Sequence, residues 1–177
     1  MAEKSRVRRL FVALIAPKEL ALKLAALAPA NSRPEKLIHL TLKFIGEVSL
    51  DQAARLTAAL ATVKAPAFTL KVQGLGLFAH GPFWAGVDSP PELISLIKAV
   101  DLIAQEVIGL KLERWPPKPH LTIARVKGNP DPRTIALTQK EPPSDFGSFW
   151  VRSFSLWESF LEPSGARRVL VQEYPLI

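Results

Sequence analysis

The chain has 177 residues, 48% of them hydrophobic, and no cysteine. The hydrophobic share leaves room for a sizeable core and argues against a disordered chain, and the absence of cysteine excludes disulfides, thiolate chemistry and cysteine-ligated zinc. The net charge of +7 fits either a solvated basic surface or attraction to a polyanion.

Lys4, Arg6, Arg8 and Arg9 precede the apolar run Leu10 to Ala16, which superficially resembles a signal peptide. The run is short, and Pro17-Lys18-Glu19 opens a helical pattern instead, so residues 7–15 read as a buried strand. Leu20, Leu24 and Leu27 recur at helical spacing to about Ala28. Pro29 and Pro34 bracket a loop. Strict alternation over Leu37 to Ile45 puts Ile38, Leu40, Leu42 and Phe44 on one face and His39, Thr41 and Lys43 on the other. Ser49 with Gln52 forms a capping box ahead of the stripe Ala53, Leu56, Leu60 and Val63. Strands follow with Phe68, Leu70 and Val72, and over Phe83 to Val87. Ser89-Pro90-Pro91-Glu92 predicts a serine-capped helix that stops at Gly109. A strand follows Pro119, Asp131-Pro132 caps a weaker helix to about Gln139, and two strands close the chain at 149–161 and 167–174. No apolar stretch is long enough to span a bilayer.

One pattern is written twice. His39-Leu40-Thr41-Leu42 and His120-Leu121-Thr122-Ile123 share the form His-x-Thr-x with apolar x. In a strand, residues i and i+2 share a face, so each copy offers an imidazole beside a hydroxyl. Two imidazoles can form an acid–base pair near neutral pH, and two hydroxyls can hold an anion. His-x-Thr is not a metal-ligand spacing, and no metal or cofactor is expected.

The duplicated motif resembles that of the 2H phosphoesterase superfamily. Arg9-Leu10-Phe11-Val12-Ala13-Leu14, Lys43-Phe44-Ile45-Gly46 after the first motif, Ala124-Arg125 after the second, and Trp157-Glu158-Ser159-Phe160-Leu161 before Gly165 resemble the bacterial and archaeal RNA 2',3'-cyclic phosphodiesterases, formerly described as 2'-5' RNA ligases. The resemblance implies an α+β fold: a bilobal, pseudo-twofold pair of antiparallel β-sheets, helices packed outside and a central groove, with residues 1–177 as a single two-lobed domain. It implies metal-independent hydrolysis of a terminal 2',3'-cyclic phosphate to a 2'-phosphate. It makes His39 the proton donor and His120 the proton acceptor; the Thr41 and Thr122 hydroxyls can donate hydrogen bonds to the non-bridging phosphoryl oxygens. The implied partner is RNA with a 2',3'-cyclic phosphate end, met by a cytoplasmic monomer with no membrane or obligatory protein partner. One departure is visible. The family usually has a tyrosine shortly after the late glycine, where this chain has Arg167-Arg168.

Other residues carry two readings each. Arg125 matches a family phosphate-binding arginine, but strict alternation puts it opposite His120 unless the strand bulges. Lys43 shares the expected His39 face and could meet phosphate or water. Phe78, with Phe83, Trp84 and Trp157, reads as core or as a platform for a terminal base. His80 reads as a loop residue, and Arg114, Trp115 and Lys118 as loop packing or a basic-aromatic cluster. Two rival functions remain: an RNA-end binding module without turnover, and another 2H activity such as 2'-5' ligation or cleavage of a small cyclic nucleotide.

Overall fold

A computed structural model of the chain describes residues 7–113 and 118–177. The stretches expected to be a basic N-terminal run (Lys4, Arg6) and a basic-aromatic cluster (Arg114, Trp115) lie outside the described residues. The elements run β1 (Val7–Ile15), α1 (Lys18–Ala25), β2 (Ser32–Pro34), β3 (His39–Ser49), α2 (Leu50–Leu60), β4 (Phe68–Leu77), β5 (Pro82–Val87), α3 (Pro91–Ile108), β6 (His120–Val126), α4 (Pro132–Thr138), β7 (Asp145–Val151), β8 (Ser153–Glu162) and β9 (Gly165–Pro175).

All pairings are antiparallel, in the order β7-β4-β5-β6-β3-β1-β8-β9, with β2 on β6. Two four-stranded halves meet in the middle through one residue pair, Leu40 opposite Leu121. Each of these is the other's counterpart in the repeat, so a local twofold axis passes through the pair. The halves also exchange helices. Helix α1 follows β1 yet packs on β6, while α3 follows β5 and packs on β3. Leu10, Val12, Leu14, Leu40 and Leu121 are buried on the helix side. The opposite side forms a groove floor.

The same irregularity occurs at the same place in both motif strands. Along β1, Val12 pairs with Lys43 and Ala13 with Thr41, so Leu42 is an extra residue. Along β5, Phe83 pairs with Ala124 and Trp84 with Thr122, so Ile123 is extra. Each is a β-bulge directly after His-x-Thr. The bulge reverses the alternation beyond it, because the extra residue and its successor both turn inward. Leu42 with Lys43, and Ile123 with Ala124, are all buried. Phe44 and Arg125 therefore come round to the groove face.

Lys43 is the main correction to the sequence reading. It does not share a face with His39; the bulge turns it into the helix side, 4% exposed. Its ammonium lies 2.7 Å from Asp101 Oδ1 on α3 and donates to Glu113 Oε1 and Lys111 O at 2.9 Å each. Asp101 Oδ2 accepts from the Glu113 backbone N–H at 2.9 Å. Burial pulls the Lys43 pKa down, but Asp101 and then Glu113 outweigh it and leave it raised. This triad anchors the segment that leads toward the second motif strand.

Caps divide the helices. Ser49 Oγ accepts from Gln52 N (3.1 Å) and Gln52 Oε1 from Ser49 N (3.0 Å), which completes the expected capping box. Asp131 Oδ1 caps α4 by accepting from Thr134 N at 2.7 Å. Ser89 does not cap α3: Pro90 occupies the N-cap with no side-chain bond, and Pro91, fixed in φ, begins the helix. The expected strand 149–161 is two strands. It breaks at Arg152, where the chain leaves β4 and joins β1 and β9 in the other half. Among the described residues, no helix is long and apolar enough to cross a membrane.

Removing one member of a buried charge pair strands the other. Lys43→Ala is therefore expected to lower stability by about 3–5 kcal/mol, read from urea denaturation. The joint replacement Lys43→Met, Asp101→Leu should recover most of that loss. A small effect of Lys43→Ala would show that the triad is not an anchor.

Candidate active site

The antiparallel register through Leu40 and Leu121 sets His39 beside Thr122 and Thr41 beside His120 along the seam. All four side chains leave the face opposite the buried leucines. The two imidazoles are held alike. His39 Nδ1 lies 2.7 Å from Leu37 O, and His120 Nδ1 lies 2.8 Å from Lys118 O. A carbonyl only accepts, so Nδ1 carries the hydrogen in both rings. Nε2 is then the free nitrogen in each: a base when the ring is neutral, an acid when it is charged.

Aromatic rings brace both imidazoles. Phe11 packs on His39 with centroids 5.0 Å apart. Phe78 meets His120 edge-on at 5.0 Å, and Trp84 lies 6.0 Å away. Phe78 is half-buried and also touches Trp84 (5.2 Å) and the exposed His80 (5.7 Å). Lys118 Nζ sits 4.6 Å from the Trp84 ring centroid and 5.9 Å from that of Phe78. Trp84 crosses Gly76 so closely that a Cβ there would fall 2.0 Å from the indole, so only glycine fits beneath the ring. Phe83 is core, and Trp157 donates through Nε1 to Ser155 Oγ at 2.7 Å.

The two halves differ in charge. Glu35 accepts from Arg168 at 2.7 Å, and Arg125 Nε lies 3.8 Å from its other oxygen. Arg125 comes from the second motif strand and Arg168 from β9, so one carboxylate gathers guanidinia from both halves. Arg168 also lies over Phe11, 5.9 Å from its centroid. Burial lowers the His39 pKa most strongly. The bond to Leu37 opposes this, Arg168 lowers it further, Glu35 raises it, and His120 lowers it. The register through Leu40 and Leu121 puts the two imidazoles on neighbouring strands of one groove. A cavity of about 440 Å³ opens on the His39 side, lined in part by His39, Thr41, Arg125 and Arg168.

The structure thus gathers His39, Thr41, His120, Thr122 and Arg125 at one groove and places Phe78 at its edge. It takes Lys43 away. Sequence reading missed Glu35, Arg168, Arg9, Arg33 and Phe44 as groove residues. Arg168 carried one signal, its replacement of an expected tyrosine; Phe44 needed the bulge. Among the described residues, no three His, Asp or Glu side chains come together as metal ligands.

Comparison with known proteins shows the family and the fold. The family model of the LigT-like phosphoesterases matches residues 16–84. The RNA 2',3'-cyclic phosphodiesterase of Archaeoglobus fulgidus is 34% identical over 136 residues, covering 75% of each chain. That of Thermus thermophilus is 30% identical and covers 95% of this chain and 90% of its own. The chain belongs to the LigT-like phosphoesterase family. Its members hydrolyse phosphodiester bonds. Escherichia coli LigT, solved without ligand, superposes with a TM-score of 0.80 at 26% identity, over 97% of this chain and 99% of its own. The same protein bound to 3'-AMP gives a TM-score of 0.81.

The lowered His39 pKa has a stability consequence. The unfolded chain protonates this histidine near its ordinary value of about 6.5, before the folded chain does. Stability linked to His39 is present above that pH and is lost as pH falls toward the lower folded value. His39→Gln should therefore lose less stability than the parent between about pH 7 and about pH 5. Equal losses in urea denaturation would show that His39 titrates normally in the fold.

Proposed function

We propose that this phosphoesterase is an RNA 2',3'-cyclic phosphodiesterase working by paired-histidine acid–base catalysis without a metal. Residues 1–177 act as a single two-lobed domain on RNA ends in the cytoplasm, as a monomer. The observation that carries the reading is the twin locking of Nδ1, which leaves two Nε2 atoms with a threonine hydroxyl beside each. Binding RNA ends alone would need the hydroxyls and the cations but not two oriented imidazoles. The named activity of the relatives from Archaeoglobus and Thermus supports the substrate class.

In this scheme, Thr41, Thr122 and Arg125 hold the non-bridging oxygens as charge redistributes. Water attacks phosphorus while His120 Nε2 takes its proton. The bond from phosphorus to the 3' oxygen breaks, and His39 Nε2 gives that oxygen a proton. The product is a 2'-phosphate, with the two histidines left in exchanged protonation states. General acid–base help is worth about 10² to 10⁴-fold. Phe78, at the groove edge beside His120, offers a ring for the terminal base.

His39 must be charged to serve as the acid, although burial and Arg168 disfavour its charge. A bound phosphodiester anion opposes that bias, so substrate binding favours the protonated form of the donor, which takes its proton from solvent. A second assignment, with His39 as base and His120 as acid, is favoured by the same lowered pKa, which favours the neutral form of His39.

The pH profile separates the two. Since kcat/KM reports the free enzyme, a donor His39 puts the alkaline limb below the ordinary imidazole value, with the limb in kcat moving upward. A basic His39 puts the acid limb there instead. A flat profile would remove the histidine mechanism altogether.

His39→Ala and His120→Ala should each abolish most hydrolysis of an oligonucleotide 2',3'-cyclic phosphate while the fold survives. The double variant should be little worse than the worse single one, because groups that act as a unit are not additive. Activity should persist in EDTA and yield only the 2'-phosphate. Near-parent single-turnover rates, or activity restored only by a divalent metal, would overturn the scheme.

A further inference from the structure

The cavity on the His39 side continues the groove away from the two motifs. Five cationic side chains and two carboxylates line it. Both carboxylates are already engaged: Glu35 by Arg168 and Arg125, and Glu162 by Arg167 at 2.7 Å. Among the described residues, Arg9 and Arg33 have no carboxylate in ion-pair range. Among the described residues, the cavity lining carries more cations than carboxylates, and Glu47, opposite Arg9 on the paired strand, lies outside that lining.

Both arginines are placed by groove features. Arg9 shares the groove face of β1 with Phe11, and its guanidinium lies over the Phe44 ring, 5.0 Å from the centroid. The bulge after Thr41 is what brings Phe44 there, 50% exposed. Stacking on a ring face leaves the in-plane N–H donors of a guanidinium available. Arg33 extends from β2 across Gly165 at the β8–β9 turn, its Cδ 3.7 Å from where a Cβ would stand. The hydroxyl-bearing Ser159 completes this wall.

A 2',3'-cyclic phosphate at an RNA end is one anion. The next along the strand is the phosphodiester to the 5' neighbour. Two guanidinia without an ion pair among the described residues, in the same cavity as His39, match that second anion. We propose that Arg9 and Arg33 form a subsite for the phosphodiester on the 5' side of the terminal nucleotide. The chain is then selective for oligonucleotide ends over cyclic mononucleotides. The inference rests on the cyclic phosphodiesterase reading and names which member of that substrate class the site takes.

Three substrates test it: adenosine 2',3'-cyclic phosphate, a diadenosine dinucleotide ending in a 2',3'-cyclic phosphate, and the same dinucleotide with an uncharged methylphosphonate link. The parent should favour the charged dinucleotide over both others in kcat/KM, by about tenfold or more for charge-assisted bonds. Arg9→Ala with Arg33→Ala should erase that advantage through KM. Lys64→Ala, which removes an exposed lysine beyond α2, should keep it. Equal handling of charged and uncharged links by the parent would overturn the subsite. So would a preference that survives the double variant, or one common loss factor on all three substrates. Calorimetric binding of the two dinucleotide 2'-phosphates runs in parallel. If the parent hydrolyses nothing, the enzymatic reading fails, and tighter, Arg9- and Arg33-dependent binding of the charged dinucleotide still upholds the subsite. No such difference overturns it.

Discussion

One extra residue in each motif strand governs the groove. Without Leu42 and Ile123 as bulges, strict alternation would send Lys43 into the groove beside His39 and hide Phe44 and Arg125 on the helix side. With them, the first three motif residues keep their faces and the residues directly beyond reverse. Leu40 and Leu121 can then meet back to back while His39, Thr41, His120 and Thr122 share one surface. The guanidinium of Arg125 arrives two residues beyond the bulged Ile123, beside the carboxylate of Glu35. The buried ion triad under β3 follows from the same reversal, since a lysine turned inward needs Asp101 to receive it.

Much of the architecture was legible because local signals agreed. The Ser49–Gln52 box, the Asp131 cap and the apolar stripe of α2 each act within a few residues, so the sequence displays both partners. The paired motif was legible for the same reason: His, Thr and the leucine between them obey a period of two. What failed to read needed partners far away in the chain. A bulge is decided by the strand opposite, and nothing within 39–45 announces that Ala13 will face Thr41. The break at Arg152 is likewise a change of neighbour, from β4 to β1, inside an unbroken run of strand-forming residues. Ser89 misled because serine, proline and glutamate stood at capping intervals, yet two consecutive prolines moved the helix start one residue on.

Glu35 was invisible for a related reason. A lone glutamate in a proline-bounded loop has no pattern, and its role exists only once β6 and β9 bring Arg125 and Arg168 to it. That arrangement also gives meaning to the departure at position 168. An arginine there adds a charge where a tyrosine would add a neutral donor. The acceptor beside it keeps the added charge oriented in the groove, with only 14% of the Arg168 side chain exposed. The cost falls on His39, whose protonation Arg168 opposes and Glu35 supports.

A twofold scaffold alone makes two equivalent imidazoles, and acid–base chemistry needs inequivalent ones. The backbone here is close to symmetric: the same motif, the same bulge, the same Nδ1 bond to the carbonyl two residues back. The side chains at matched positions are not. Phe44 stands where Arg125 stands in the other half, and buried Lys43 matches Ala124. Ala13, beside Thr41, matches Trp84, beside Thr122. His39 consequently lies in a charged, enclosed setting with Arg168 and Glu35, and His120 lies against the Phe78–Trp84 edge under Lys118. The symmetric sheet brings the two proton carriers together at fixed geometry, and the asymmetric lining acts on one of them: burial and Arg168 disfavour the charged form of His39.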